Sequence, residues 1–300
     1  MKSLITGGAG FIGSHLADAL VNLGHQVIIL DNLSTGHLTN LEQSKNKIQF
    51  VNIDVSDNQK TIDQYFKGVD WVFHMAGLAD VISSIKEPDK YFKANVIGTL
   101  NVLNAAKKNK VKKFLYAASA SCYGVPDNYP TSEESKIDPK NPYALTKTLG
   151  EQLVMHWFQL YSMPNISLRF FNVYGLRSST KGAYSTVFGI FLAQKLANQP
   201  LTIVGDGTQT RDFIFISDLV KAIIKAAQKG KNGEIYNVGS GKETSINFIA
   251  DLIGGNKKNV SKRLGETERS LANISKIKNH LNWNCSILVE EGTKLLLKNI

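Results

Sequence analysis

Tyr143 and Lys147 stand four residues apart in Pro142-Tyr-Ala-Leu-Thr-Lys147. On a helix that interval puts both side chains on one face. A lysine ammonium beside a phenol favours the phenolate, as any nearby cation would. A tyrosine tuned in this way can act as a base near neutral pH. Ser119 lies 24 residues before Tyr143, and its hydroxyl could hydrogen-bond the oxygen that loses its proton. Alone, this pattern is common. Its weight comes from the turn at the start of the chain, where Gly7, Gly10 and Gly13 follow an apolar run and open an amphipathic one. Glycines there allow a tight turn and a close approach of backbone to a pyrophosphate, which the helix N-terminus attracts with oriented N–H groups. Asp31 follows 18 residues after Gly13. A carboxylate at that point accepts hydrogen bonds from ribose hydroxyls and repels a 2′-phosphate, which favours NAD over NADP. Asp54, after a third apolar run, is placed to face the adenine.

These groups need a scaffold of alternating strands and helices. Residues 2–6, 26–30, 48–53, 69–74, 113–118 and 166–171 read as strands, with helices over 11–23, 89–108 and 142–161. Gly24 is placed as a helix C-cap and Pro142 in a first helical turn. The alternation predicts an α/β fold: a Rossmann-type, doubly wound parallel sheet. Beyond Phe171 it loosens, and a smaller C-terminal substrate-binding lobe is expected. The division predicted is an NAD-binding domain over 1–171 and a lobe over 172–212 and 240–300. Residues 213–239 are expected to return to the first domain. Two further strands are expected at 213–216 and 235–238, at least one of them joining the main sheet.

Composition narrows the function. The formal net charge is +10, but only five of the 35 basic residues are arginine and the lysines are scattered. That is a compositional bias rather than a binding stripe, so no nucleic-acid partner is expected. All five arginines, Arg169, Arg177, Arg211, Arg263 and Arg269, fall after residue 168. An anionic substrate should therefore meet the second half of the chain. Cys122 and Cys285 are distant in sequence and read as thiols of a reducing, cytoplasmic protein. The six histidines lack ligand spacing, so no metal is expected. No run of 18 apolar residues predicts a membrane span, and the stretch before the first glycine is too short for a signal peptide.

The chain resembles the extended short-chain dehydrogenase/reductases, within them the nucleotide-sugar epimerase/dehydratase group, nearest the UDP-hexose 4-epimerases. The matching segments are Thr6-Gly-Gly-Ala-Gly-Phe-Ile-Gly-Ser-His15, Asp31-Asn-Leu-Ser-Thr-Gly36, His74-Met-Ala-Gly77, Asn95-Val-Ile-Gly-Thr99, Ser119-Ala-Ser-Cys-Tyr-Gly124, Pro142 to Lys147, Arg169-Phe-Phe-Asn-Val-Tyr-Gly175, Gly205-Asp-Gly-Thr-Gln-Thr-Arg-Asp212 and Ser217-Asp-Leu219. They cover almost the whole chain. The resemblance implies Ser119, Tyr143 and Lys147 as the catalytic set. It implies NAD contacts from Gly7, Gly10, Phe11, Ile12, Gly13, Asp31, Asn32, Gly36, Asp54, Val55, Ala76, Ala118, Tyr143, Lys147 and Phe170. It implies contacts to a UDP-sugar from Ser119, Ser121, Asn172, Val187, Arg211, Arg263, Glu266 and Ser270, with Arg269 a weaker candidate. A homodimer through the helices at 89–108 and 142–161 is also implied.

Two departures discriminate between reactions. The 4,6-dehydratases of the family carry Asp-Glu after the catalytic hydroxyl, and the decarboxylases keep a Glu at the second position. Here these are Ala120 and Ser121, which cannot serve as a carboxylate base. What remains suffices for hydride removal and return at C4, which is epimerisation. The resemblance also places Ser270 against the sugar, where a small residue leaves room for an N-acetyl group at C2. The alternatives are a dehydratase, decarboxylase or 4-reductase on the same scaffold and, more remotely, a non-catalytic NAD-sensing or RNA-associated protein.

Overall fold

The computed structural model describes residues 1–178, 186–261 and 267–298. The strands are β1 (Lys2–Thr6), β2 (Gln26–Asp31), β3 (Ile48–Asn52), β4 (Trp71–His74), β5 (Lys113–Ser119), β6 (Asn165–Phe170), β7 (Asn172–Tyr174), β8 (Leu201–Val204), β9 (Thr210–Phe215), β10 (Glu234–Val238), β11 (Glu243–Ser245) and β12 (Lys257–Val260). Seven of them form one parallel sheet in the order β10-β6-β5-β4-β1-β2-β3. The order reverses between β1 and β4, and the crevice outside the carboxyl ends of strands at such a point is where ligands bind in open α/β sheets.

Strand residues alternate between two cores. Leu4, Ile28, Leu30, Val72, Phe114 and Tyr116 face one side. Ile5, Ile29, Phe73 and Leu115 face the other. Both faces are apolar because helices cover both, as parallel sheets require. Helix Phe11–Asn22 and helix Ile216–Lys229 pack on one face, and helices Gly98–Lys108 and Pro142–Tyr161 on the other.

One local result differs from the sequence expectation. The helix expected over 89–108 is three pieces: Pro88–Phe92, a wide π-type turn Lys93–Ile97, and Gly98–Lys108. The wide turn aims Asn95 inward. Its Nδ2 donates to Leu78 O (3.0 Å) and Thr146 Oγ1 (3.0 Å), and its Oδ1 accepts from Leu78 N (2.8 Å). Apolar periodicity reads through such a turn because it shifts the face by only one residue. The two late strands meet the expectation that at least one joins the main sheet. Glu234–Val238 joins the main sheet beside β6, whereas Thr210–Phe215 sits with β7 and β11 in a separate three-stranded sheet. A further pair, β12 with β8, is parallel. Among the described residues, no helix is long and apolar enough to cross a membrane.

Candidate active site

The crevice opens into one cavity of about 760 Å³ that runs from Asp31 and Asp54 at one end to Arg211 and Ser270 at the other. Its first wall is the turn after β1. Gly7 has φ +68°, and a Cβ there would lie 2.7 Å from Ala76 N; a Cβ on Gly13 would lie 2.2 Å from Gly7 O. Those two glycines are needed for packing. Gly10 differs, since its Cβ would meet only Gly7 O, at 3.2 Å. It is the N-cap of the Phe11–Asn22 helix, and no side chain caps that first turn. Gly7, Gly10, Phe11, Ile12 and Gly13 all line the cavity. Gly36 does not; it backs the turn, where a Cβ would fall 2.8 Å from Ala9 C.

Asp31 ends β2 and is almost buried, 7% exposed. Its carboxylate accepts from Ala9 N (2.9 Å) and Leu33 N (2.8 Å). Burial raises its pKa, and those two amides counter the rise. Asp54 is also desolvated, but the hydroxyl and amide of Ser56 and the Asn32 amide bring its pKa below the ordinary value. Asn32, Val55, Ala76, Ala118 and Phe170 line the same wall.

The reactive groups meet at the carboxyl end of β5. Ser119 is its last residue, and its Oγ lies 2.9 Å from Ser121 Oγ and accepts from Ser121 N at 3.2 Å. Asn141 caps the helix Pro142–Tyr161 through Ala144 N (2.9 Å), so Tyr143 and Lys147 fall on its first turns. Burial raises the Tyr143 pKa, and hydrogen bonding with Ser119 and Ser121 opposes the rise. Lys147 is buried, with Nζ 4.4 Å from the Tyr116 ring centroid. Burial lowers its pKa to about 7, against the opposing pull of Glu151. The spacing predicted a lysine that lowers the tyrosine's pKa; in the protein alone the Tyr143 shift is upward and its largest cause is burial.

The far wall comes from separate segments. Asn172 donates to Asp212 O (3.2 Å), Arg211 Nη1 donates to Thr210 O (2.8 Å), and Ser270 N donates to Thr210 O (3.1 Å). All three line the cavity with Ser119 and Ser121. Val187 opens a helix and is not on the wall; its neighbour Thr186, the N-cap, is. Arg263 and Glu266 lie outside the described residues. The chain's residues 3–239 match the family described as the NAD dependent epimerase/dehydratase family. A putative UDP-glucose 4-epimerase of Methanocaldococcus jannaschii is 40% identical over 97% of this chain and 95% of that protein. A UDP-N-acetyl-alpha-D-glucosaminuronate decarboxylase of Bacillus cytotoxicus is 38% identical over 84% and 79%. The crystal structure of UDP-glucose 4-epimerase from Thermotoga maritima with UDP-glucose superposes with a TM-score of 0.94, at 33% identity, over 99% of this chain and 98% of that one.

The chain belongs to the NAD dependent epimerase/dehydratase family.

The family's cofactor fits the residues present. The uncapped helix start at Gly10 supplies an anion cradle that any Cβ at that position would enter. Asp31 offers a carboxylate held by two amides at the edge of that cradle. NAD is therefore the cofactor of this enzyme. Several groups stood in recognised segments but were given no role by the sequence. Asn95 could have been found as a polar residue on an apolar helix face. His74 joins Thr6 and Thr99 behind the cradle, with Nδ1 2.6 Å from Thr6 Oγ1 and Nε2 2.9 Å from Thr99 Oγ1. Thr99 Oγ1 gives its hydrogen to Asn95 O (2.6 Å). His74 Nε2 therefore donates and Nδ1 accepts, and burial keeps the ring neutral by lowering its pKa to about 3.

Proposed function

We propose that the chain is a NAD-dependent 4-epimerase of a UDP-hexose, acting on UDP-glucose or UDP-galactose and admitting the N-acetylhexosamines. The observation that carries this reading is the set Ser119, Tyr143 and Lys147 at one end of the dinucleotide cradle, with Ala120 and Ser121 where a dehydratase or decarboxylase would need a carboxylate. The bound nicotinamide supplies a hydride acceptor and, later, the donor at C4. Tyr143 takes the proton of the 4-hydroxyl and returns it to the C4 oxygen once the 4-keto sugar has turned its other face toward the cofactor. Ser119 holds the same oxygen through a hydrogen bond. Lys147, whose charge burial disfavours, stays ionised when an anionic phenolate faces it one helical turn away. Arg211 and Asn172, with Arg263 and Glu266, hold the nucleoside diphosphate, so the hexose can turn over between half-reactions.

The test is a panel of UDP-, dTDP- and GDP-sugars with products identified by mass and NMR. Epimerisation conserves mass. A pentose, a 4-keto or a deoxy product would replace this reading with decarboxylation, dehydration or reduction. The decarboxylase relative keeps that first alternative in the panel.

The reading includes a homodimer. Ile85 is 62% exposed and Leu160 57%, and Phe92, Ile97 and Tyr161 are also exposed. They lie on segment 81–97 and on the helix Pro142–Tyr161. A second copy would cover this apolar face, and sedimentation at micromolar concentration is expected to show twice the monomer mass. Two thiols without a disulfide suit the cytoplasm.

A further inference from the structure

Arg269 stands on the cavity wall beside Ser270, in the cavity shared with Ser119 and Tyr143. Its guanidinium is engaged. Nε donates to Glu243 Oε2 at 2.6 Å and Nη2 to Oε1 at 2.9 Å. The guanidinium carbon lies 4.8 Å from the Tyr129 ring centroid, and Tyr129 Oη donates to Arg269 O at 3.1 Å. Glu243 is placed by main-chain pairing: β11 runs antiparallel to β9, with Glu243 opposite Asp212 and Thr244 opposite Arg211. Thr210 Oγ1 also donates to Glu243 Oε2, at 3.2 Å. The arginine fork is thus spent on a carboxylate of the protein itself.

That arrangement bears on the sugar. Arginine is the residue best matched to a carboxylate, because its planar fork gives two parallel hydrogen bonds. A sugar that carries a carboxylate would find the fork occupied and would bring a second negative charge beside Glu243. A neutral hexose asks for no charge and meets a compensated wall. The geometry points to Glu243 as the residue that selects neutral hexoses over hexuronates, by keeping Arg269 in an ion pair at the sugar pocket. This rests on the 4-epimerase reading above. The pair is partly open to solvent, with Arg269 45% and Glu243 31% exposed. The effect should accordingly be modest and should weaken with salt.

The experiment compares UDP-glucose with UDP-glucuronate in the native holoenzyme and in Glu243→Gln, a neutral replacement of the same shape. The native ratio of kcat/KM should favour UDP-glucose. Glu243→Gln should move that ratio toward UDP-glucuronate by about threefold at low salt, and by less at high salt. Equal handling of the two sugars by the native enzyme overturns the proposal, as does a ratio that Glu243→Gln leaves unchanged. Binding is read separately, as the Kd ratio of the same two sugars on a Tyr143→Phe background with and without Glu243→Gln. If neither sugar is epimerised yet the Kd ratio shifts as stated, the epimerase reading falls and the charge selection stands. If epimerisation occurs and the Kd ratio does not move, the charge selection falls alone.

Discussion

The two ends of the cavity are built in opposite ways. The phosphate cradle at the cofactor end is main chain from one contiguous stretch: β1, its glycine turn and the helix that follows, within residues 2–22, with the Asp31 carboxylate at its edge. The substrate end is made of side chains that tie distant segments together. Asp212 is buried and accepts from Ser240 N (2.6 Å), Gly241 N (3.0 Å) and Ala272 N (3.0 Å). It fastens β9 to a turn 28 residues on and to the stretch containing Ser270, 60 residues on. Outside the cavity lining, Asp218 likewise ties the start of the helix Ile216–Lys229 to Ser286 N and Ile287 N, both at 2.7 Å. A backbone cradle grips what all NAD molecules share and tolerates few changes. A wall assembled from distant side chains can change residue by residue, and that is where sugar specificity can vary.

The largest expected effect lies where the two ends meet. Tyr143→Phe should lose about 10²–10⁴-fold in turnover, the usual cost of removing a general base, while the protein keeps its fold and bound NAD. Near-normal turnover would mean that the reactive centre belongs to neither end as described.

At the cofactor end, Asp31 should make the native apoprotein prefer NAD to NADP by at least about tenfold, since a 2′-phosphate beside a carboxylate meets like-charge repulsion. Titration calorimetry measures both, and equal affinities would remove Asp31 from that role. At the substrate end, Ser270→Tyr should lower kcat/KM for UDP-N-acetylgalactosamine by about tenfold or more relative to UDP-galactose, because a phenol ring would fill the space of an acetamido group. If the native enzyme rejects the N-acetylated sugar, or the variant treats both sugars as before, the substrate wall is not assembled around Ser270.

A further effect is read on stability, outside turnover and binding. His74 has a folded pKa of about 3, far below its ordinary 6.5. The unfolded chain therefore binds a proton there that the folded chain does not. Stability from this group is fully present above pH 6.5 and is lost as pH falls toward 3, at about 1.4 kcal/mol per pH unit. Denaturant titrations of the native protein and His74→Asn across pH 7 to 4 should show the native curve falling more steeply by that slope. Parallel curves would show that the ring behind the cradle takes no part in acid unfolding.

The strands from Lys2 to Phe170 were legible to within one or two residues at each end, because a strand buried on both faces is a short continuous apolar run. The glycine turn, Asp31 and the Tyr143/Lys147 pair were legible because each acts over a few contiguous residues, where spacing alone fixes direction. The π-type turn at Asn95 was not, since its cause is a hydrogen-bond set reaching Leu78 and Thr146. Asp212 and Asp218 stood in recognised segments, yet nothing local said that they are fasteners rather than ligands. The same holds for Arg269: its residue type announced an anion partner, but the partner is Glu243, brought opposite Asp212 by an antiparallel strand pair. Local geometry is set by backbone sterics and periodicity, which the order of residues carries directly. The occupancy of a charged fork or the direction of a pKa shift depends on which groups share a desolvated space, and only the folded chain decides that.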